Sequence, residues 1–198
     1  MNFLAHSFLS KDHHDEVLLG NFFGDSFKGM IHKVEPKQVR LGVRLHRSID
    51  LYTDSHENVL AAIRIFRGQQ GMFSPVVVDM VFDHLLAKNW EKWADDQLYE
   101  FTESVFSRIA RNEHLIPPRG QIFYPHMSTH NWMLHYAAAE GLHRALAGLD
   151  RRVRHDSNMA ASLSVFNENE EDLVGLFNDF FPQLIAHSEK FMGEESAR

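Results

Sequence analysis

Between Arg44 and Asp54 the chain reads Arg44-Leu45-His46-Arg47-Ser48-Ile49-Asp50-Leu51-Tyr52-Thr53-Asp54. His46, Asp50 and Asp54 stand at successive i+4 positions, so on a helix they project from one side with only gradual drift. Imidazole and carboxylate at this spacing are able to hold a divalent cation, or one of them to orient another that does. Arg44 and Arg47 flank the group, and a guanidinium suits bidentate contact with phosphate oxygens. The same pattern also describes a surface helix stitched by Asp–Arg pairs.

A second set lies in Asp79-Met80-Val81-Phe82-Asp83-His84-Leu85-Leu86. Asp79 and Asp83 share a helical face, with His84 beside Asp83. Acids inside so apolar a helix are costly to bury unless they are paired or bind a metal. An Asp–Arg pair across a helix interface would meet that need, but two helices with matching His and Asp sets are also a usual way to build a carboxylate-rich metal site. Asp83 and His84 are expected to be needed for activity and not for folding. Near the N-terminus, His6 and Asp25 are weaker signals. Gly24 before Asp25 removes side-chain bulk and lets another group come close.

These residues need helices to carry them. Apolar positions recur mostly at helical spacing, without sustained strand-type alternation. Helices are expected over 2–10, about 14–29, Pro36 to about Asp54, about 57–68, Ser74 (as cap) to about Trp93, and Asp95 or Asp96 to about Arg111. Pro117, Pro118 and Gly120 mark the longest loop, ending near Pro125. Ser128 then caps a helix to about Leu149, and two more follow at about 151–165 and 169–191, the last kinked at Pro182. The reading is all-α, one domain spanning residues 1–198.

The 198 residues contain no cysteine, which excludes thiolate chemistry and disulfides and suits a reducing cytoplasm. Residues Met1 to Ser10 lack a basic n-region and cleavage site, and no apolar run approaches the ~20 residues that span a bilayer. A soluble, cytoplasmic protein is expected. A net charge of −7 argues against nucleic-acid binding. Yet Lys28, Lys33, Lys37, Arg40, Arg44 and Arg47 cluster against Glu35 alone, while 168–195 is acidic. The basic segment either attracts an anionic substrate or acidic partner, or is a solvated face.

Asn2-Phe3-Leu4-Ala5-His6, Gly20-Asn21 with Asp25, His46-Arg47-x-Ile49-Asp50-x-x-Thr53-Asp54 and Asp79-x-x-x-Asp83-His84-x-Leu86 occur in this order, followed by Trp90 and Phe181-Pro182. As an ordered set spanning nearly the whole chain, they resemble the acyl carrier protein phosphodiesterases. The resemblance implies removal of 4′-phosphopantetheine from holo-acyl carrier protein, a fold similar to the helical His-Asp metal phosphohydrolases, manganese as the cation, and a small acidic protein as partner. One departure is that the usual His-Asp dipeptide of that superfamily stands here as Asp83-His84. His126, His130, His135 and His143 match no part of the pattern and read as surface residues.

A divalent ion lowers the pKa of water from about 15.7 towards about 7–9, supplying hydroxide to attack phosphorus in line with the serine oxygen. The expected ligands are His6, Asp25, His46, Asp50, Asp83 and His84. Arg44 and Arg47 offset phosphoryl charge, and Asp54 and Asp79 support the reaction. Two alternatives remain open at this stage: a related phosphohydrolase acting on a nucleotide or other small phosphodiester, and a non-enzymatic helical module that binds an acidic protein or a haem-like cofactor. Sequence does not assign an oligomeric state.

Overall fold

The computed structural model describes residues 1–27, 29, 31–153 and 157–197, and among these there is no strand. Eleven α-helices follow in order among the described residues: α1 Phe3–Phe8, α2 Asp15–Phe22, α3 Lys37–Ser55, α4 Glu57–Gln70, α5 Ser74–Lys88, α6 Leu98–Ala110, α7 Pro118–Thr129, α8 Trp132–His135, α9 Ala139–Asp150, α10 Ser162–Glu168 and α11 Glu170–Ser196. Lys28 of the basic segment, and residues 154–156 of the helix expected at 151–165, lie outside the described residues. No described helix is long and apolar enough to cross a membrane.

The centre is α5. Val77, Val78 and every residue from Met80 to Ala87 are buried, so this helix is enclosed nearly all round, as its largely apolar sequence requires. Around it α4, α9, α1 and α11 pack, and α3 lies against α2, α4 and α11. Phe8 joins α1 to Trp90 and to Phe181 of α11 at ring-centroid distances of 5.6 and 5.5 Å. Trp90 and Phe181 are therefore core residues.

The acids of α5 are satisfied by the chain's first turn. Asp83 is fully buried and accepts hydrogen bonds from the backbone N–H groups of Asn2 (3.1 Å), Leu4 (2.8 Å) and Ala5 (3.4 Å). It thus neutralises the N-terminal end of α1, where the free donors and the positive end of the helix dipole lie. Asp79 pairs with the Met1 amine at 2.6 Å. A buried carboxylate needs compensating donors, and here a neighbouring helix end supplies them.

The crossing of α2 and α3 is a backbone contact. A Cβ on Gly20 would collide with the carbonyl oxygen of Val39, and one on Gly42 with that of Val17. Four residues beyond Gly20, a Cβ on Gly24 would overlap the His46 ring. Only hydrogen fits these places, and the approach seats α3 one turn from its histidine.

Several element boundaries differ from the sequence expectation. The segment 117–125, expected as a loop, belongs largely to α7. Pro118 occupies the first turn, where its missing N–H costs nothing, and Tyr124 and Met127 turn inwards. Ser128 lies in the last turn of α7 and caps nothing, and the helix expected over 128–149 is two. Asn131 takes a left-handed conformation (φ 38°), and its side chain accepts from Leu134 N–H. Neither Ser74 nor Asp95 or Asp96 makes a capping hydrogen bond; the Ser74 hydroxyl donates back to the Gly71 carbonyl. Pro182 lies inside α11, as expected.

Replacing Asp83 with Ala leaves the N–H groups of Asn2, Leu4 and Ala5 without their acceptor. The expected cost is about 3 kcal/mol, a melting point lower by roughly 6–12 °C for a chain of this size. Thermal denaturation measures it, and an unchanged melting point would contradict this anchoring role. Burial pushes the Asp83 carboxyl up to about 7, against the lowering influence of the Met1 amine and the three N–H groups. The folded chain therefore holds more protons than the unfolded chain between about pH 4 and about pH 7, and this group's contribution to stability falls as pH rises through that window. Melts of the Asp83→Asn variant should lack that slope.

A candidate metal centre

His6 on α1 and His46 and Asp50 on α3 converge. Their ligand atoms all lie within 4.8 Å of one another, the one such group of three among the described residues. Asp50 Oδ1 is 3.2 Å from His6 Nε2, and its Oδ2 is 3.1 Å from His46 Nε2. The two imidazoles stack with centroids 4.0 Å apart. Asp25, exposed on the short turn after α2, brings Oδ1 to 3.5 Å from His46 Nε2. A cavity of about 360 Å³ opens over the group, lined by Gly24, Asp25, His46, Arg47 and Asp50 among others.

Asn21 decides how the rings point. Its side-chain N–H donates to the His6 carbonyl at 2.6 Å, which leaves its Oδ1 to accept from His6 Nδ1–H at 2.9 Å. The backbone carbonyl of the same residue accepts from His46 Nδ1–H at 2.7 Å. Both protons are thereby fixed on Nδ1, and both Nε2 atoms face Asp50. Both Nε2 atoms are buried and lack an aligned hydrogen-bond partner. Two lone pairs and a carboxylate aimed at one another repel unless a cation lies among them, and an Nδ1–H held by a carbonyl is the usual support of a metal-bound histidine.

Protonation answers the same need in part. Burial would lower the His46 pKa, but contact with Asp25 and Asp50 outweighs it and raises the ring to about 9. His6 is pushed down to about 4 by burial and by the His46 charge. For Asp50, burial opposes ionisation, but its two histidine contacts hold the carboxyl well below the usual range. Asp25 is lowered, chiefly through His46. The centre thus gathers two ionised carboxylates and one protonated imidazole, and a divalent cation would take the place of that proton. The donor set, two imidazole nitrogens with carboxylate oxygens, fits manganese or zinc.

The other expected residues, apart from Arg47, lie outside this group. Asp83 and Asp79 hold the first turn, as described. His84 Nδ1–H donates to the Tyr136 carbonyl at 2.6 Å, and its ring meets Phe166 edge-on at 5.1 Å, away from the His6–His46–Asp50 group. Arg44 forms a bidentate pair with Glu195 of α11 and lies over Phe191. Asp54 is exposed near the end of α3, outside the cluster. Arg47 does line the cavity. Arg40 is engaged by the His32 and Val34 carbonyls and by Glu35, whereas Lys33 and Lys37 are exposed. His126, His130, His135 and His143 are all exposed. Asn21 has no role in the sequence reading beyond its place in the Gly20-Asn21 pair; the available signal was an amide inside an apolar helix, where it needs a partner.

Fold and site define an all-helical protein with a buried histidine–carboxylate centre beneath an open cavity. The family model for acyl carrier protein phosphodiesterase matches residues 1–184. Relatives named acyl carrier protein phosphodiesterase include those of Photorhabdus laumondii, 30% identical over 96% of both chains, and Serratia proteamaculans, 30% identical over 93% of this chain and 96% of the relative. That of Yersinia pestis is 27% identical over 96% and 98%. No solved structure matches significantly. The chain belongs to the acyl carrier protein phosphodiesterase family.

Substituting Leu for Asn21 removes the acceptor for His6 Nδ1–H but keeps the helix. Manganese affinity should fall about 10–100-fold, with the circular dichroism spectrum unchanged. Titration calorimetry measures it; equal affinity in the two proteins would mean that the amide does not orient the ligand.

Proposed function

We propose that this chain hydrolyses the phosphodiester between 4′-phosphopantetheine and the serine of an acyl carrier protein, using a divalent cation, Mn²⁺ by preference, held by His6, His46 and Asp50 with Asp25 at its edge. The carrying observation is the convergence of the His6 and His46 Nε2 atoms on the Asp50 carboxylate, with His46 and Asp50 lining an open cavity. The substrate comes from the family and from the printed names of the relatives.

A cation in this position supplies Lewis-acid polarisation of a phosphoryl oxygen and a more acidic water. The chain's own residues do the rest. Asn21 fixes both imidazoles. Arg47, on the cavity wall next to His46, offsets charge building on the phosphoryl oxygens. Asp25, the most exposed carboxylate of the centre, is available to orient water or to hold a proton near the leaving serine oxygen. Of the residues expected from sequence to do chemistry, Asp79, Asp83 and His84 act in this reading through the position of α1 and the core. Arg44 secures α11, and Asp54 stays at the surface. The acidic carrier protein docks over exposed Lys33 and Lys37, and the compartment is the cytoplasm.

Chelation should abolish release of 4′-phosphopantetheine from holo-acyl carrier protein and manganese restore it, with helical circular dichroism retained throughout. Replacing His6, His46 or Asp50 with Ala should remove most activity. Arg47→Ala should lower kcat about 10²-fold. Activity that survives thorough metal removal, or a nucleotide panel cleaved faster than the carrier protein, would overturn the reading.

Charge reversal of Lys33 and Lys37 together should raise KM and leave kcat in place, the signature of lost uniform binding. Added salt should reproduce part of the effect on the unmodified enzyme by screening. A KM indifferent to both would move the docking surface away from this segment.

A further inference from the structure

A second cavity, a groove of about 540 Å³, lies between the start of α1 and helices α8 and α9. It shares no lining residue with the cavity over His46 and Asp50, so the two are separate sites. Its volume falls within the range of pockets that enclose a small organic molecule. Phe3, Met80 and Trp132 give it an apolar and aromatic lining. Arg144, Arg151, Arg152, His130 and His135, all exposed, add nitrogen donors, and no carboxylate is among its lining residues.

The order of residues on α9 builds this groove. Gly141, Arg144 with Ala145, Gly148, and Arg151 with Arg152 follow one another by three or four, so small residues and arginines share one face of the helix and of the turn after it. A Cβ on Gly141 would collide with the His135 carbonyl oxygen, so α8 seats directly against α9 there. Gly148 keeps the space open further along, since a Cβ built on it meets only Arg151 Nη2, at 3.7 Å.

The arginines lack a counter-charge from the protein. Neither Arg151 nor Arg152 makes a side-chain hydrogen bond or ion pair among the described residues, and Arg144 meets Glu140 only at 3.9 Å. Burial and the Asp83 charge raise the Tyr136 phenol and the Arg152 charge opposes them, so a neutral hydroxyl donor lies within electrostatic reach of that cation. In a chain of net charge −7, a concave site with three guanidiniums and no acid concentrates anions against the field of the rest of the surface. Guanidinium pairs with phosphate oxygens through two parallel bonds, a geometry that an ammonium does not offer.

We infer that this groove binds an organic phosphate of nucleotide size, its phosphate groups paired with Arg144, Arg151 and Arg152 and its flat or apolar body lying against Trp132, Phe3 and Met80. The assignment does not depend on the phosphodiesterase reading, because none of these residues belongs to the His6–His46–Asp50 centre.

ADP is the probe, titrated calorimetrically into the unmodified chain, with pyrophosphate and adenosine beside it to separate charge from body. ADP should bind at least tenfold more tightly than either, and its affinity should fall with added salt. Charge reversal of Arg151 and Arg152 together should weaken ADP at least tenfold, with the melting point unchanged and cleavage of holo-acyl carrier protein within twofold. Gly148→Leu narrows the groove and keeps its charge, so it should weaken ADP more than pyrophosphate. No ADP binding, or equal ADP binding in the charge-reversed chain, overturns the assignment. Adenosine or pyrophosphate binding as tightly as ADP overturns it too, by removing the role given to the arginines or to the apolar lining. ADP binding lost in Asp50→Ala, and kept in the charge-reversed chain, would place the nucleotide at the metal centre instead. A charge reversal that leaves ADP binding intact and raises KM for the carrier protein would make these arginines a docking surface for an acidic protein, against the small-ligand assignment.

Discussion

The site depends on one residue's two carbonyl oxygens. Asn21 accepts from the Nδ1–H of both His6 and His46, through its side chain and its backbone respectively, and so turns both remaining ring nitrogens towards Asp50. That arrangement requires α1, α2 and α3 to meet within hydrogen-bond reach of one residue. Ordinary helix packing holds axes about 8–10 Å apart; the Gly20–Gly42 crossing permits the backbone-to-backbone approach here, and Gly24 makes room for the His46 ring. The three glycines and the amide act as one device, since losing the close approach would carry the Asn21 carbonyl away from His46.

A second constraint holds the other ligand-bearing helix. The six-residue α1 is too short to be stable alone, because helix nucleation is costly and short helices gain few bonds. It persists because its apolar face is buried and because Asp83 takes up its free N–H groups. The carboxylate is enclosed at a cost in its own ionisation, and it places His6 within reach of Asp50. Asp83 thus bears on the centre without touching it. The Arg44–Glu195 pair does comparable work at the outer side of α3, tying that helix to α11.

Electrostatically the centre and the core acids differ in kind. Asp50 and Asp25 are held ionised by the imidazoles, so they are ready for a cation. Burial raises Asp83 and Asp79, and backbone N–H groups and an amine answer that burial. The same residue type serves as ligand in one place and as a helix anchor in the other. The difference lies in what faces it.

The sequence by itself determined the helical class, the helix that carries His46 and Asp50, and the family, because apolar periodicity and i+4 spacing are local properties that survive any packing. His6, Asp25, His46 and Asp50 were legible as candidates through residue type and ordered motif. Sequence did not separate them from Asp83 and His84, since a buried acid looks the same whether its partner is a metal, an arginine or the end of another helix. It also missed α7, where two prolines disguised a helix whose first turn tolerates one of them, and the break at Asn131, a left-handed residue without a glycine. Only the tertiary structure decided that the first turn of the chain would lay three N–H groups on Asp83, that Arg44 would turn to Glu195 while Arg47 faced the cavity, and that Asn21 would bind two histidines at once. Each of these is a contact between residues remote in the chain, fixed by which helices approach and how closely, and no local pattern encodes that distance.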